Sequence, residues 1–307
     1  FMRIPPDMTL TSPDLPDVPP PAELADVIAR FSALARLRRE VADALPDAPV
    51  GVSYDPDRFA AGTPLLAEVG PEDLAADFLR AAGLLLPRLA ELFPPLGKDA
   101  AVLAQALAMG PRLAAPLLTA LAVGSEADIE ALALEMGVAP GALVFCAREA
   151  LAATLRARAR TLSPMADDVL WQKPSCPVCG GPPDCGMLKE QREPSEFLVA
   201  KAGRLYLHCA LCGHQWRFPR LTCVACGEGE QEKLDVLFPA GRDRERIHAC
   251  RSCGHYLIVL NRAETSRDTD LDAAPASLIH LDAAAQARGF APICDTPWNH
   301  LEGAQPE

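Results

Sequence analysis

Four short stretches carry one pattern, two cysteines separated by two residues and followed by glycine: CPVCG from Cys176, CALCG from Cys209, CVACG from Cys223 and CRSCG from Cys250. Two intervening residues let the backbone fold tightly round one ion, so that both sulfurs reach it at about 2.3 Å. The glycine accepts φ > 0 without a Cβ clash, and that bend can turn amide N–H groups toward the thiolates. One such claw supplies two ligands, and a tetrahedral site needs four. Four claws therefore make two sites, and three pairings exist.

Gap lengths favour the sequential pairing. The runs from Cys179 to Cys209 and from Cys226 to Cys250 each have room for a hairpin, whereas the short run from Cys212 to Cys223 suits a connection between modules. Cys176, Cys179, Cys209 and Cys212 are thus candidate ligands of one ion, and Cys223, Cys226, Cys250 and Cys253 of another. Spacing does not choose between zinc and iron, since both accept four thiolates in a tetrahedron. A thiol–disulfide oxidoreductase needs one exposed claw on a thioredoxin-like βαβ unit, and the sequence offers no such unit.

The other reactive residue types give weaker signals. Cys146, in LVFCAREAL, reads as a buried small hydrophobe. Cys185 reads as a spare thiol, and Cys294 has no evident partner. His208, His214 and His255 adjoin claws that already have four thiolates, so they read as surface groups or as supports for the ligands. Trp216, Phe218 and Tyr256 read as core. Arg148, Arg156, Arg158 and Arg160 read as a solvated helix face and end.

These residues need elements to position them. Residues 1–21 are a proline-rich arm. From 22 to 165 the chain is Ala- and Leu-rich with helical periodicity: Leu24, Val27, Ile28, Phe31, Leu34, Leu37 and Val41 recur at steps of three and four before Pro46. Further helices are expected over 71–93, with Pro87 as a kink or break, and over 99–109, 112–122, 125–137 and 139–160. Ser125 and Asp128 form a capping signature, with Gly137 as the stop. The apolar run 100–123 nearly spans a bilayer in length, but GPR at 110–112 reads as a break between two buried helices.

The pattern changes near Pro174. EFLVAK (196–201) and RLYLHC (204–209) flank a turn at Ala202-Gly203. HQWRFPR leaves the second claw, KLDVLF and RERIHAC flank PAGRD, and HYLIVLNR leaves the fourth. The expectation is an α+β multidomain chain: a helical domain, a module over 172–219, a second over 220–262, then a region of linker, C-terminal helix and tail over 263–307. At about forty residues each, the modules are too small for a core alone, so a metal would contribute to folding.

Bulk composition narrows the function. Net charge is −12 and the sequence pI about 5.0. An acidic surface repels phosphate backbones, so nucleic acid is not the expected partner, and a nucleic-acid-binding zinc ribbon is the weakest reading. No basic segment followed by an apolar core opens the chain, and eleven cysteines in a reducing cytoplasm point to metal rather than disulfides.

The ordered segments CPVCGG, RLYLHCALCGHQWRFPRLTCVACGE, HACRSCGHYLIVLNR and DLDAAPASLIHLDAAAQARGF resemble the FdhE family, the formate dehydrogenase accessory proteins. The resemblance covers 172–300 in detail; the helical half agrees in length and class only. It implies a helical domain followed by two rubredoxin-like modules, with iron as the metal and the same eight cysteines as ligands. It further implies a cytoplasmic, non-enzymatic protein that binds the large catalytic subunit of respiratory formate dehydrogenase before export by the twin-arginine route, with no stable membrane insertion. A rubredoxin-like redox carrier is the alternative. GHQW after the second claw departs from the family's more acidic stretch, and Cys185 is not a pattern position.

Overall fold

The computed structural model describes residues 24–47, 51–189, 203–239, 244–262 and 270–299. The proline-rich arm, the strand expected at 196–201, most of the PAGRD turn and the acidic run 263–269 lie outside the described residues.

The helical half is built from α1 (Ala25–Ala44), α2 (Pro56–Ala61), α3 (Pro71–Leu92), α4 (Gly97–Met109), α5 (Ala114–Val123), α6 (Glu126–Met136) and α7 (Pro140–Leu162). The Ser125 hydroxyl accepts from the Asp128 N–H while Asp128 accepts from the Ser125 N–H, and Gly137 closes α6 at φ 72°. Pro87 neither breaks nor ends α3, which runs uninterrupted from Pro71. Leu85, Leu86 and Leu89 around it are all buried, and their burial offsets the lost backbone hydrogen bond. The break expected at 110–112 is present: the helices on either side of it meet at 106°. Among the described residues no single helix is long and apolar enough to cross a membrane. On α1, Leu34, Leu37 and Val41 are buried as the periodicity predicts; Phe31 is only partly so and stacks edge-on against Trp298, ring centroids 5.0 Å apart.

The rest is one mixed sheet of β1 (Pro183–Lys189), β2 (Arg204–Cys209), β3 (Gln215–Phe218), β4 (Leu234–Leu237), β5 (Glu245–Cys250), β6 (His255–Asn261) and β7 (Ala291–Pro292). The strand order is β3-β2-β1-β6-β5-β4, with β7 added on β6. Each half repeats one plan: claw, strand, strand, claw, strand. The first strand of one half meets the last strand of the other in parallel, Gly186 opposite Val259. A Cβ on Gly186 would lie 3.1 Å from Leu205 Cδ1 and 3.2 Å from Val259 Cγ2, so a larger residue would push those methyl groups aside at the seam.

RLYLHC pairs antiparallel with β3 on one edge and on the other with PDCGMLK over 183–189, a strand the residue pattern did not predict. One sheet face joins the large core: Leu205, Leu207, Trp216, Leu257 and Val259 pack in one cluster with Phe78, Leu143 and Trp171 of the helical half. The other face carries Ile247, Ala249, Tyr256 and Ile258, covered by Leu278, Leu281 and Ala285. The one C-terminal helix expected within 263–307 is two, α8 (Ala274–Ser277) and α9 (Ile279–Gln286), interrupted at Leu278.

Beneath α9 sits Asp282, 3% exposed. It accepts a hydrogen bond from the Tyr256 hydroxyl at 2.6 Å. Burial pushes its carboxyl up to about 7, against the pull of the Tyr256 bond. A raised carboxyl contributes stability that is complete below the ordinary carboxylate value of about 4 and is lost as pH rises through its folded value. Asp282→Asn keeps an acceptor for Tyr256 and is expected to stabilise the chain by roughly 1–3 kcal/mol near pH 8, a gain that shrinks toward pH 5.5. Urea unfolding at the two pH values checks this; a gain independent of pH would count against burial of the charge as its cause.

Candidate metal centres

The structure gathers the eight claw cysteines into two sets of four: Cys176, Cys179, Cys209 and Cys212, and Cys223, Cys226, Cys250 and Cys253. Within each set all Sγ atoms lie within 4.8 Å of one another. Cys176 Sγ is 3.6 Å from Cys212 Sγ, and Cys179 Sγ 3.5 Å from Cys209 Sγ. In the second set, Cys223 to Cys253 is 3.7 Å and Cys226 to Cys250 is 3.8 Å. Four sulfurs about 2.3 Å from one ion would stand about 3.8 Å apart, so these spacings fit a tetrahedral thiolate site. They are far too long for disulfide bonds, and all eleven cysteines are free.

All four claws are made the same way. The glycine N–H returns to the carbonyl of the first cysteine: Gly180 to Cys176 at 2.9 Å, Gly213 to Cys209 at 3.1 Å, Gly227 to Cys223 at 2.9 Å and Gly254 to Cys250 at 2.9 Å. Each of these glycines is left-handed, with φ between 70° and 78°. The turn is thus set locally, by the CxxCG pattern itself.

The surroundings of the two clusters differ. Segment 64–66 of the helical half holds the first claw: Leu65 N–H donates to Pro177 O at 2.8 Å and Leu66 N–H to Val178 O at 2.9 Å. Trp171 packs on Phe59 with centroids 4.8 Å apart. The second claw meets α7, where Gly213 abuts the Arg156 guanidinium and His214 Nδ1 pairs with Ser163 Oγ at 2.9 Å. Gly213→Ala is accordingly expected to cost about 1–2 kcal/mol for the left-handed backbone and a similar amount again for displacing Arg156. Gly227→Ala, which meets nothing within 4 Å, should cost only the backbone share. Thermal melts of the two variants side by side check this, and equal losses would refute the Arg156 contact.

His208, directly before Cys209, is not a surface group. It is 4% exposed. Its Nδ1 faces Asp184 at 2.7 Å and its Nε2 faces Asp272 at 3.2 Å. Burial alone would lower its pKa; the two carboxylates outweigh this and hold it well above its ordinary value. Asp272 also accepts from Arg156 Nη2 at 2.8 Å and from Arg39 Nη1 at 2.9 Å. Its carboxyl, which burial would raise, is held well below the usual range by His208 and Arg156. Asp184, Cys185 and His208 converge closely enough to suggest a third ligand set. With both ring nitrogens engaged by carboxylates and burial pushing the Cys185 thiol up to about 12, the group is better described as an ion-pair network.

Of the α7 arginines read as solvated, Arg148 and Arg160 are exposed as expected, while Arg156 and Arg158 are half-buried in ion pairs. Arg156 binds Asp272, Arg158 binds the buried Asp77, and Arg160 donates to Ala42 O at 2.7 Å and Leu45 O at 3.1 Å. The network's partners stand up to 233 residues apart in the chain, so no local pattern announces them. Cys146, Trp216, Phe218 and Tyr256 are buried, as expected of core residues.

No family model matches the chain. It is similar to proteins named FdhE homolog from Aquifex aeolicus, 29% identical over 121 residues, and from Shewanella baltica, 31% identical over 119 residues. Those matches take in 39% of this chain, and 40% and 36% of the respective relatives, so the chain spans about two fifths of the length of the curated relatives it matches. The crystal structure of the FdhE protein from Pseudomonas aeruginosa superposes with a TM-score of 0.53 at 22% identity, over 91% of this chain and 96% of that one, a likeness of fold. The sequence matches and the likeness of fold thus fall on proteins that carry one name, FdhE.

Proposed function

We propose that this chain is a non-catalytic accessory factor that binds the catalytic subunit of a respiratory formate dehydrogenase in the cytoplasm, before export, and is required for that enzyme's activity. The observation that carries the reading is the pair of four-cysteine clusters on a fold shared with an FdhE protein. In this reading residues 172–219 and 220–262 load one ion each, through Cys176, Cys179, Cys209 and Cys212 and through Cys223, Cys226, Cys250 and Cys253. Iron is the favoured metal and zinc the alternative. Four thiolates close the coordination of an ion and leave no position for a substrate, which supports a binding role over catalysis.

A tagged full-length chain should co-purify with a formate dehydrogenase catalytic subunit, and deletion of its gene should lower formate oxidation by at least about tenfold, well beyond ordinary variation in enzyme level. Absence of the subunit from the purified chain, together with intact formate oxidation in the deletion strain, would sink the reading. A redox carrier is the second reading, favoured by the exposure of Cys226. It requires a ferric-thiolate colour that bleaches reversibly, and a colourless zinc protein from iron-replete cells would end it.

A further inference from the structure

The four claws share one sequence pattern and one backbone turn, yet the two clusters stand in opposite settings. In the first, Cys176, Cys209 and Cys212 are 0%, 1% and 2% exposed, and Cys179 is half-buried. Their claws are clamped from outside: Pro177 and Val178 carbonyls by segment 64–66, Gly180 by Pro64 and Gly213 by Arg156. In the second, Cys226 is exposed and Cys253 partly so. Ala225, Gly227, Arg251 and Ser252 around them are exposed too. A Cβ on Gly227 or Gly254 would meet nothing within 4 Å. The Ser252 hydroxyl donates to Glu228 at 2.8 Å, a tie made within the module itself.

Metal–thiolate bonds exchange when an incoming donor reaches the ion as a resident sulfur leaves. That path needs a sulfur at the surface or a local opening that exposes one. Opening costs little where few buried contacts are lost and much where a claw is packed into the core. We propose that the second cluster, Cys223, Cys226, Cys250 and Cys253, is an exchange site, through which a soft divalent ion is delivered and withdrawn by small thiol or aminocarboxylate ligands, while the first cluster exchanges more slowly. The inference rests on the reading that both clusters bind metal, and goes beyond it by giving the two sites different tasks. In the exchange step a thiol loses its proton as its sulfur bonds to the ion; the Cys226–metal bond breaks, and the Cys226 thiolate takes up one proton. No electron is transferred.

The test uses the full chain loaded with zinc under reducing conditions to two ions per chain. Excess EDTA is added, and the loss of bound metal is followed on desalted samples taken over time. One ion should leave at least about tenfold faster than the other. N-ethylmaleimide added after the fast phase, followed by peptide mass spectrometry, should mark Cys226 and its three partners and spare Cys176, Cys179, Cys209 and Cys212. In Cys226→Ser the fast-leaving ion should be missing or leave faster still, with the slow phase unchanged. Two ions leaving in one phase, or first-cluster cysteines labelled first, would overturn the inference and leave metal binding standing. A chain that takes up no zinc would overturn both.

Discussion

Cys212→Ser is expected to unfold the chain well beyond its own claw. The residue is 2% exposed and belongs to the core cluster that also holds Trp171, Trp216, Phe78 and Leu143. A structural four-thiolate zinc contributes about 10–16 kcal/mol of apparent binding free energy near neutral pH. Whole domains are stable by only about 5–15 kcal/mol. Losing the first ion would therefore remove as much as the fold possesses, and the loss would propagate because the Cys176–Cys179 claw of the same cluster is bonded to segment 64–66. The near-ultraviolet circular dichroism of the buried Trp171 and Trp216 should collapse, and the melt should lose its cooperativity. Cys226→Ser should disturb those signals less, since Cys226 is exposed where Cys212 is buried, although Val224 of its claw joins the same core cluster. A parent-like melt and tryptophan signal for Cys212→Ser would show that the first cluster is not a structural site.

The second large effect is expected from Asp272→Ala. This carboxylate faces Arg39, Arg156 and His208 at once, with its side chain 11% exposed. Removing one partner of a buried ion pair leaves uncompensated charge and typically costs about 3–5 kcal/mol. Here several cations lose their partner, and the contact between α1, α7 and β2 loses its centre, so a loss at the upper end is expected in urea unfolding of the metal-loaded chain. The pH dependence follows from the two shifts. Asp272 is depressed, so its contribution is present above the ordinary carboxylate value of about 4 and is lost as pH falls below it. His208 is raised, so its contribution is complete below about 6.5 and is lost as pH rises through its folded value. The gap between parent and variant should be widest between those values and narrow toward alkaline pH. A loss under about 1 kcal/mol, or a gap that widens at alkaline pH, would refute the network as a source of stability.

The sequence by itself determined whatever is decided within a few residues. CxxCG sets its own turn and the gap lengths favour sequential grouping, so the two sets of four cysteines were legible, and local logic gave the Ser125–Asp128 cap and most helix limits. Tertiary structure decided what depends on distant partners. PDCGMLK has poor strand propensity, and becomes β1 because β2 and β6 pair with it on both edges. Pro87 stays inside α3 because its neighbours are buried in the core. Arg156 and His208 look like surface groups in sequence and are drawn into the interior by Asp184 and Asp272, which reach them only when the sheet packs against α7. Four claws of one pattern become a more buried and a more exposed cluster for the same reason: the pattern fixes the turn, and the neighbours that folding supplies fix its access to solvent.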